Sequence, residues 1–384
     1  MNKQFLKSIA DIQTGPFGSQ LHKEDYVKEG TPIVTVEHLG NRMFTEQNLP
    51  KVSDSDKKRL SKYILAEGDI VFSRVGSVNR CSYVDLAHDG WMFSGRCLRV
   101  RPNAEVESLF LYYYFCLEET KQFIRNIAVG ATMPSINTKL LGEVEIICPE
   151  LKTQRKIVAI LSSLDDKIEL NKKINDNLQQ QAEALFKAWF IDFAPFDGIK
   201  PNNWVVYTLG EVSEMGAGGD KPKNTSKIKS AECPYPVYSN GLDNEGLYGY
   251  TDKAKIFDES VTVSARGTIG FVCLRHLPYV PIVRLVTLIP KESILSAKYL
   301  YLYLKQLHIS GTGTTQQQLT VPDFRKTEIL IPDNTTMMDF TKAVTPIFNK
   351  IWTNEDENKQ LALIRDTLLP KLMSGEIDVS GIQL

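Results

Sequence analysis

The chain has 384 residues, 42% of them apolar and 24% charged, with a formal net charge of −1. That length exceeds one ordinary hydrophobic core and predicts two domains plus connecting elements. The near-neutral charge argues against a protein that coats nucleic acid indiscriminately; it leaves room for a sequence-specific reader whose cations are concentrated locally.

Residues 1–150 begin without a signal-peptide core after Met1 and read as mixed α+β. Short strands such as Pro32–Val36 and Asp69–Ser73 are separated by Gly, Asn and Asp turns. Donors crowd the next stretch: Arg74, Ser77, Asn79, Arg80, Arg96, Arg99 and Arg101, opposed only by Asp85 and Asp89. The tyrosine-rich run Leu109–Leu117 is far short of the roughly 20 residues of a membrane span and reads as a core helix.

After Pro149 the pattern changes to a heptad over residues 151–194. Ile157, Leu161, Leu164, Ile168, Asn171, Asn175, Leu178, Ala182, Leu185 and Trp189 alternate spacings of four and three. Ile160, Leu170, Ile174, Phe186 and Phe190 form a second apolar stripe off that seam. Either the chain's own domains cover it or a partner protein does. Ala194–Pro201 is a linker by composition.

A second α+β region, residues 195–335, includes the strand Ser260–Val263 and a basic loop with Lys221, Lys223, Asn224, Lys227 and Lys229. Arg266, Thr268 and Arg284 echo the donors of the first region, and Gln316, Gln317 and Gln318 place three amides on one loop. Arginine suits guanine edges, glutamine suits adenine, and lysine usually meets phosphate. A second heptad follows over residues 336–384: Phe340, Val344, Ile347, Ile351, Asn354, Asn358, Leu361, Arg365, Leu368 and Leu372.

The halves are a repeat. Gly142–Pro149 matches Arg325–Pro332, Gly130–Ile136 matches Gly313–Leu319, Ile70–Ser73 matches Val261–Ser264, and Ile9–Ile12 matches Leu209–Val212. The offset drifts early in each half and is constant from Gly130 onward, so insertions are confined to a loop-rich domain and excluded from the helix. Asn171 and Asn175 fall at the same two seam positions as Asn354 and Asn358, and seam asparagines typically set register. Helices of about 35 residues would be about 50 Å long. A parallel pair would stretch the domain between them across that whole length, so antiparallel packing is expected, with Asn175 facing Asn354 and Asn171 facing Asn358. Arg365 opposite Leu164 is the weak layer of the seam.

Catalysis finds no support. There is no phosphate loop and no Asn or Asp before a Pro-Pro-aromatic triplet, and Pro322-Asp323 with Glu328 lacks the lysine of a nuclease site. The five histidines are scattered. Cys81, Cys97, Cys116, Cys148, Cys233 and Cys273 form no Cys-x-x-Cys pair, which predicts buried, reduced thiols and no metal site. The N-terminus without a signal-peptide core and the lack of a membrane-length apolar run predict a cytoplasmic chain.

Gln154–Leu161 with Leu164–Ile168, the ending Leu368–Ile377, and Gly15-Pro16-Phe17-Gly18-Ser19 followed by Tyr26 and Gly30–Ile33 resemble the specificity subunits of type I restriction–modification systems. The second domain has Gly216-Ala217-Gly218-Gly219 in place of that opening motif. The resemblance spans the chain. It implies two target recognition domains in tandem, separated by two long antiparallel coiled-coil helices, each domain reading half of a bipartite site in double-stranded DNA. It further implies two methyltransferase subunits, which bind S-adenosylmethionine, and two restriction subunits, with no cofactor in this chain. The alternatives are a specificity subunit of a related methyltransferase or nuclease, and a coiled-coil scaffold that never touches DNA.

Overall fold

The structure is a computed structural model that describes residues 2–18, 20–311 and 318–382. It divides into two compact units, Met1–Glu169 with Glu357–Leu384, and Leu170–Asp356. Both boundaries fall inside the long helices Leu151–Phe190 and Asn334–Ser374, so each helix gives one half to each unit.

In the first unit, strand Asn2–Phe5 pairs antiparallel with Glu145–Cys148. A four-stranded antiparallel sheet runs in the order Ala10–Thr14, Cys97–Pro102, Ile70–Ser73, Cys81–Tyr83. A smaller sheet orders Tyr26–Val27, Lys51–Val52, Thr31–Val34 and Met92–Phe93, the last pair parallel. Alternation sorts the strand residues: Leu98 and Val100 join one core with Phe72, Phe110 and Tyr113, while Cys97 and Val71 join the core beneath the smaller sheet. The tyrosine-rich run forms helix Ser108–Cys116, buried on all sides.

The second unit repeats this plan. Val205–Thr208 pairs with Glu328–Ile331, and the main sheet runs Ser213–Ala217, Val286–Pro290, Ser260–Val263, Val272–Arg275. A smaller sheet again ends in a parallel pair, Tyr235–Tyr238 with Val280–Pro281. The same strand order in the two main sheets, on diverged sequence, is the repeat seen in three dimensions; the smaller sheet has four strands in the first unit and three in the second.

Within each unit the helix halves run antiparallel. In the first, Arg365 meets Asp165 and Lys167 meets Glu357, one number rising as the other falls. In the second, Asn354 Nδ2 donates to Asn175 Oδ1 at 2.7 Å, and Phe190 stacks edge-on to Phe340. Asn171 and Asn354 are fully buried; Asn358 is half-buried. The first helix stops where Phe193 and Asp197 adopt left-handed backbone around the turn Ala194–Phe196, at the expected linker.

Two readings of the helices are corrected. Phe186 and Phe190 are not surface for a partner: they are 2% and 6% exposed, packed with Tyr299, Phe340 and, at Phe190, Trp204. Nor does Arg365 face only Leu164, because its guanidinium ion-pairs with Asp165. Ile160 lies against the first unit's core, Ile174 is half-buried, and Leu170 is 52% exposed.

Candidate nucleic-acid interface

In the first unit, four loops converge beyond one end of the strands of the main sheet, next to the Thr14–Leu98 and Ser73–Cys97 pairs. Gly15 N–H donates to Cys97 O, Arg74 N–H to Arg96 O, Gly76 N–H to Pro134 O, and Ile136 N–H to Arg74 O. The backbones touch so closely that side chains are forbidden: a Cβ on Gly15 would lie 2.2 Å from Ser94 O, and one on Gly95 2.3 Å from Pro16 O. Gly76 turns the 74–80 loop through left-handed backbone (φ 75°). This frame leaves Ser77 and Arg96 exposed, with Asn79 half-buried beside them. Phe17, 51% exposed, lies under the Arg74 guanidinium at 4.8 Å.

Not every predicted donor is free. Arg74 Nη1 donates to Gly95 O at 3.1 Å, and Arg80 Nη2 donates to Leu39 O. Arg99 pairs with Asp11 and Arg101 with Asp69, so these two belong to the sheet. Asp85 binds His88, and Asp89 accepts from Glu67 N–H, so neither carboxylate opposes the loop cations.

The second unit builds the same frame from different residues. Gly218 N–H donates to Leu285 O as Gly15 does to Cys97 O, and a Cβ there would lie 2.7 Å from Ile282 N. The departure at Gly216–Gly219 therefore keeps the close contact and discards the rest of the motif. Leu319 N–H donates to Ala265 O, matching Ile136 and Arg74. Gly267 (φ 70°) repeats the turn of Gly76. Arg266, Thr268 and Arg284 are exposed, and Arg266 donates through Nε and Nη2 to Gln318 Oε1 at 3.2 and 3.0 Å. Gln316 and Gln317 lie outside the described residues. Lys221 and Lys223 are exposed; Lys221 and Lys227 both lie over the Tyr248 ring, at 5.1 and 4.2 Å. A hydrogen bond from Lys221 holds the Tyr248 phenol below its usual range.

One residue absent from the sequence reading joins this cluster. Asn240 Oδ1 accepts from Ala265 N–H at 2.7 Å and its Nδ2 donates to Val283 O at 2.6 Å. A lone Asn outside any repeat match gives no signal in one sequence.

The arrangement offers hydrogen-bond donors and cations on loops, which suits recognition of a polyanion with readable edges. Burial pushes the thiols of Cys97 and Cys273 up to about 12, so neither is an activated nucleophile. Among the described residues no group of three or more His, Cys, Asp or Glu side chains gathers as a metal site, and no helix is long and apolar enough to cross a membrane.

Fold and site together define a duplicated module that presents two loop clusters on one scaffold used twice. The profile of the type I restriction modification DNA specificity domain matches residues 1–180 and again 201–362, and the chain belongs to that family. It is 28% identical to the MjaIX specificity subunit of Methanocaldococcus jannaschii, across 98% of this chain and 93% of the relative. It is 27% identical to the HindI specificity subunit of Haemophilus influenzae, across 88% and 92%. The crystal structure of the S subunit of a type I restriction–modification system from M. genitalium shares the fold, with a TM-score of 0.59 at 19% identity over 97% of this chain and 95% of that one.

Proposed function

We propose that this chain reads DNA sequence for a type I restriction–modification complex and has no catalytic centre of its own. Each unit reads one half of a bipartite duplex site. Arg96, Ser77 and Asn79 face the first half; Arg266, Thr268, Arg284 and Gln318 face the second, with Lys221 and Lys223 on phosphate. Two methyltransferase subunits, carrying S-adenosylmethionine, dock on the helices, where Leu170 and Ile174 offer apolar surface; two restriction subunits complete the assembly. The observation that carries this reading is the recurrence of one glycine-closed loop frame in both units with different exposed donors, as expected of one scaffold set for two targets.

The test is duplex binding by the assembled complex across a salt series, with methylated sites mapped by sequencing. Affinity should fall steeply with salt, because phosphate contacts release counterions. Replacing residues 1–150 with another recognition domain should change one half-site and leave the other intact. Salt-independent or absent duplex binding would favour the scaffold alternative, and a change in both halves would refute independent reading.

A further inference from the structure

Arg284 and its neighbour Val283 adopt left-handed backbone, with φ of 60° and 53°. That region is rare for any residue but glycine and strained for a β-branched one, so it persists only where the surroundings hold it. Two backbone bonds hold one side of the bend: Val283 N–H to Gly219 O at 2.9 Å and Arg284 N–H to Gly218 O at 2.8 Å. On the other side the only side-chain grip among the described residues is the Asn240 amide on Val283 O. The same amide holds Ala265 N–H, so one side chain ties together the loops that carry Arg284 and Arg266.

We propose that Asn240 is the positioning residue of the second recognition cluster, aiming Arg284 and Arg266, and that Arg74 fills the equivalent role in the first. The matched bonds of Gly15 to Cys97 and Gly218 to Leu285 make Gly95 the counterpart of Val283. Its carbonyl is also held by a side chain, Arg74 Nη1 at 3.1 Å. One carbonyl is thus gripped in both units, by a guanidinium from the neighbouring loop in one and by an amide in the other. Asparagine suits its place because it offers a donor and an acceptor on one short planar group. Aspartate would offer acceptors only and would set a carboxylate oxygen against Val283 O.

This inference rests on the DNA-reading function above, and its test separates the two. The full chain is assembled with its methyltransferase partners, as wild type, Asn240→Ala, Asn240→Asp, and Asn240→Ala with Val283→Gly. Methylated sites are mapped and duplex affinities measured. A wild-type complex that methylates no bipartite site overturns the function itself. Given a bipartite site, Asn240→Ala should keep the first half-site, relax one or more positions of the second, and weaken cognate binding about tenfold while non-specific binding stays unchanged. Asn240→Asp should do at least as much. Adding Val283→Gly should restore the second half-site in part, because glycine holds the left-handed bend without strain. Full fidelity at the second half-site in Asn240→Ala, equal loss at both halves, or no recovery with Val283→Gly overturns the assignment.

Discussion

Arg365 occupies a seam position where the heptad asks for hydrocarbon, and Asp165 explains why it is tolerated. The Asp165 carboxylate is 6% exposed and accepts from Arg365 Nη1 at 2.6 Å and from Tyr113 Oη at 2.7 Å. Burial and the Asp165 charge raise the Tyr113 phenol well above its usual range. Burial alone would lower Arg365, but the Asp165 hydrogen bond and charge outweigh it and raise it. The corresponding layer of the second unit has Ala182 and Phe348, with Tyr301 edge-on to Phe348 at 5.7 Å. The same layer is thus filled once with charge and once with hydrocarbon. This was not legible in the sequence, because an Asp beside a seam reads as a solvated face. Arg365→Leu leaves Asp165 buried with only a phenol and should destabilise the first unit by about 2–3 kcal/mol. Asp165→Phe with Arg365→Ala, which copies the second unit's layer, should cost less than that single change, because the partners are coupled. Hydrogen exchange resolved over residues 1–169 checks both, and a double variant less stable than Arg365→Leu would contradict the coupling.

At the scale of elements, the two long helices were the most legible feature, since ten seam positions each leave little room for another period. Their ends were less so. Leu185 and Trp189 continue the heptad on paper and are half-buried, yet from Ala182 onward Phe186 and Phe190 carry the fully buried face. A 3.6-residue helix drifts off a seven-residue repeat, and Tyr299 and Phe340 pack against the drifted face. The start of the second helix is capped by Asp333, which accepts from Thr336 N–H at 3.1 Å and Thr336 Oγ1 at 2.9 Å. The Thr336 backbone N–H, with its hydroxyl, holds that carboxyl below its usual value despite slight burial. A carboxyl lowered by folding stabilises above its unfolded pKa of about 4 and loses that contribution as pH falls through the folded value. Asp333→Ala should therefore cost about 1 kcal/mol at pH 7, while Asp333→Asn, also a good cap, should cost less. The gap between wild type and Asp333→Ala in urea midpoint should narrow as pH drops from 5 towards 3; a constant gap would show that the carboxylate charge adds nothing.

For the whole molecule, the duplication was plain from matched segments, but the way each copy closes its core was not. Heptads show that two helices pair; they do not show that the first unit takes its last wall from the far end of the chain. Leu369, Leu372, Met373 and Val379 are buried in one cluster with Ile157, Leu161 and Leu6. Ile377 packs against that cluster, and Lys156 Nζ donates to Ser380 O. The segment after the second helix is thus core of the first unit, more than 200 residues from the strands it supports. Removing residues 375–384 should expose the surface under Val379 and Ile377 and destabilise the first unit by roughly 3 kcal/mol, from the apolar area returned to water. Among the described residues the second unit draws its core from within Leu170–Asp356, and it should keep its exchange protection. In the assembled complex the same truncation should weaken discrimination at the first half-site and spare the second. Protection lost from residues 200–330, or weakened reading of the second half-site instead of the first, would mean that the C-terminal segment supports the other unit.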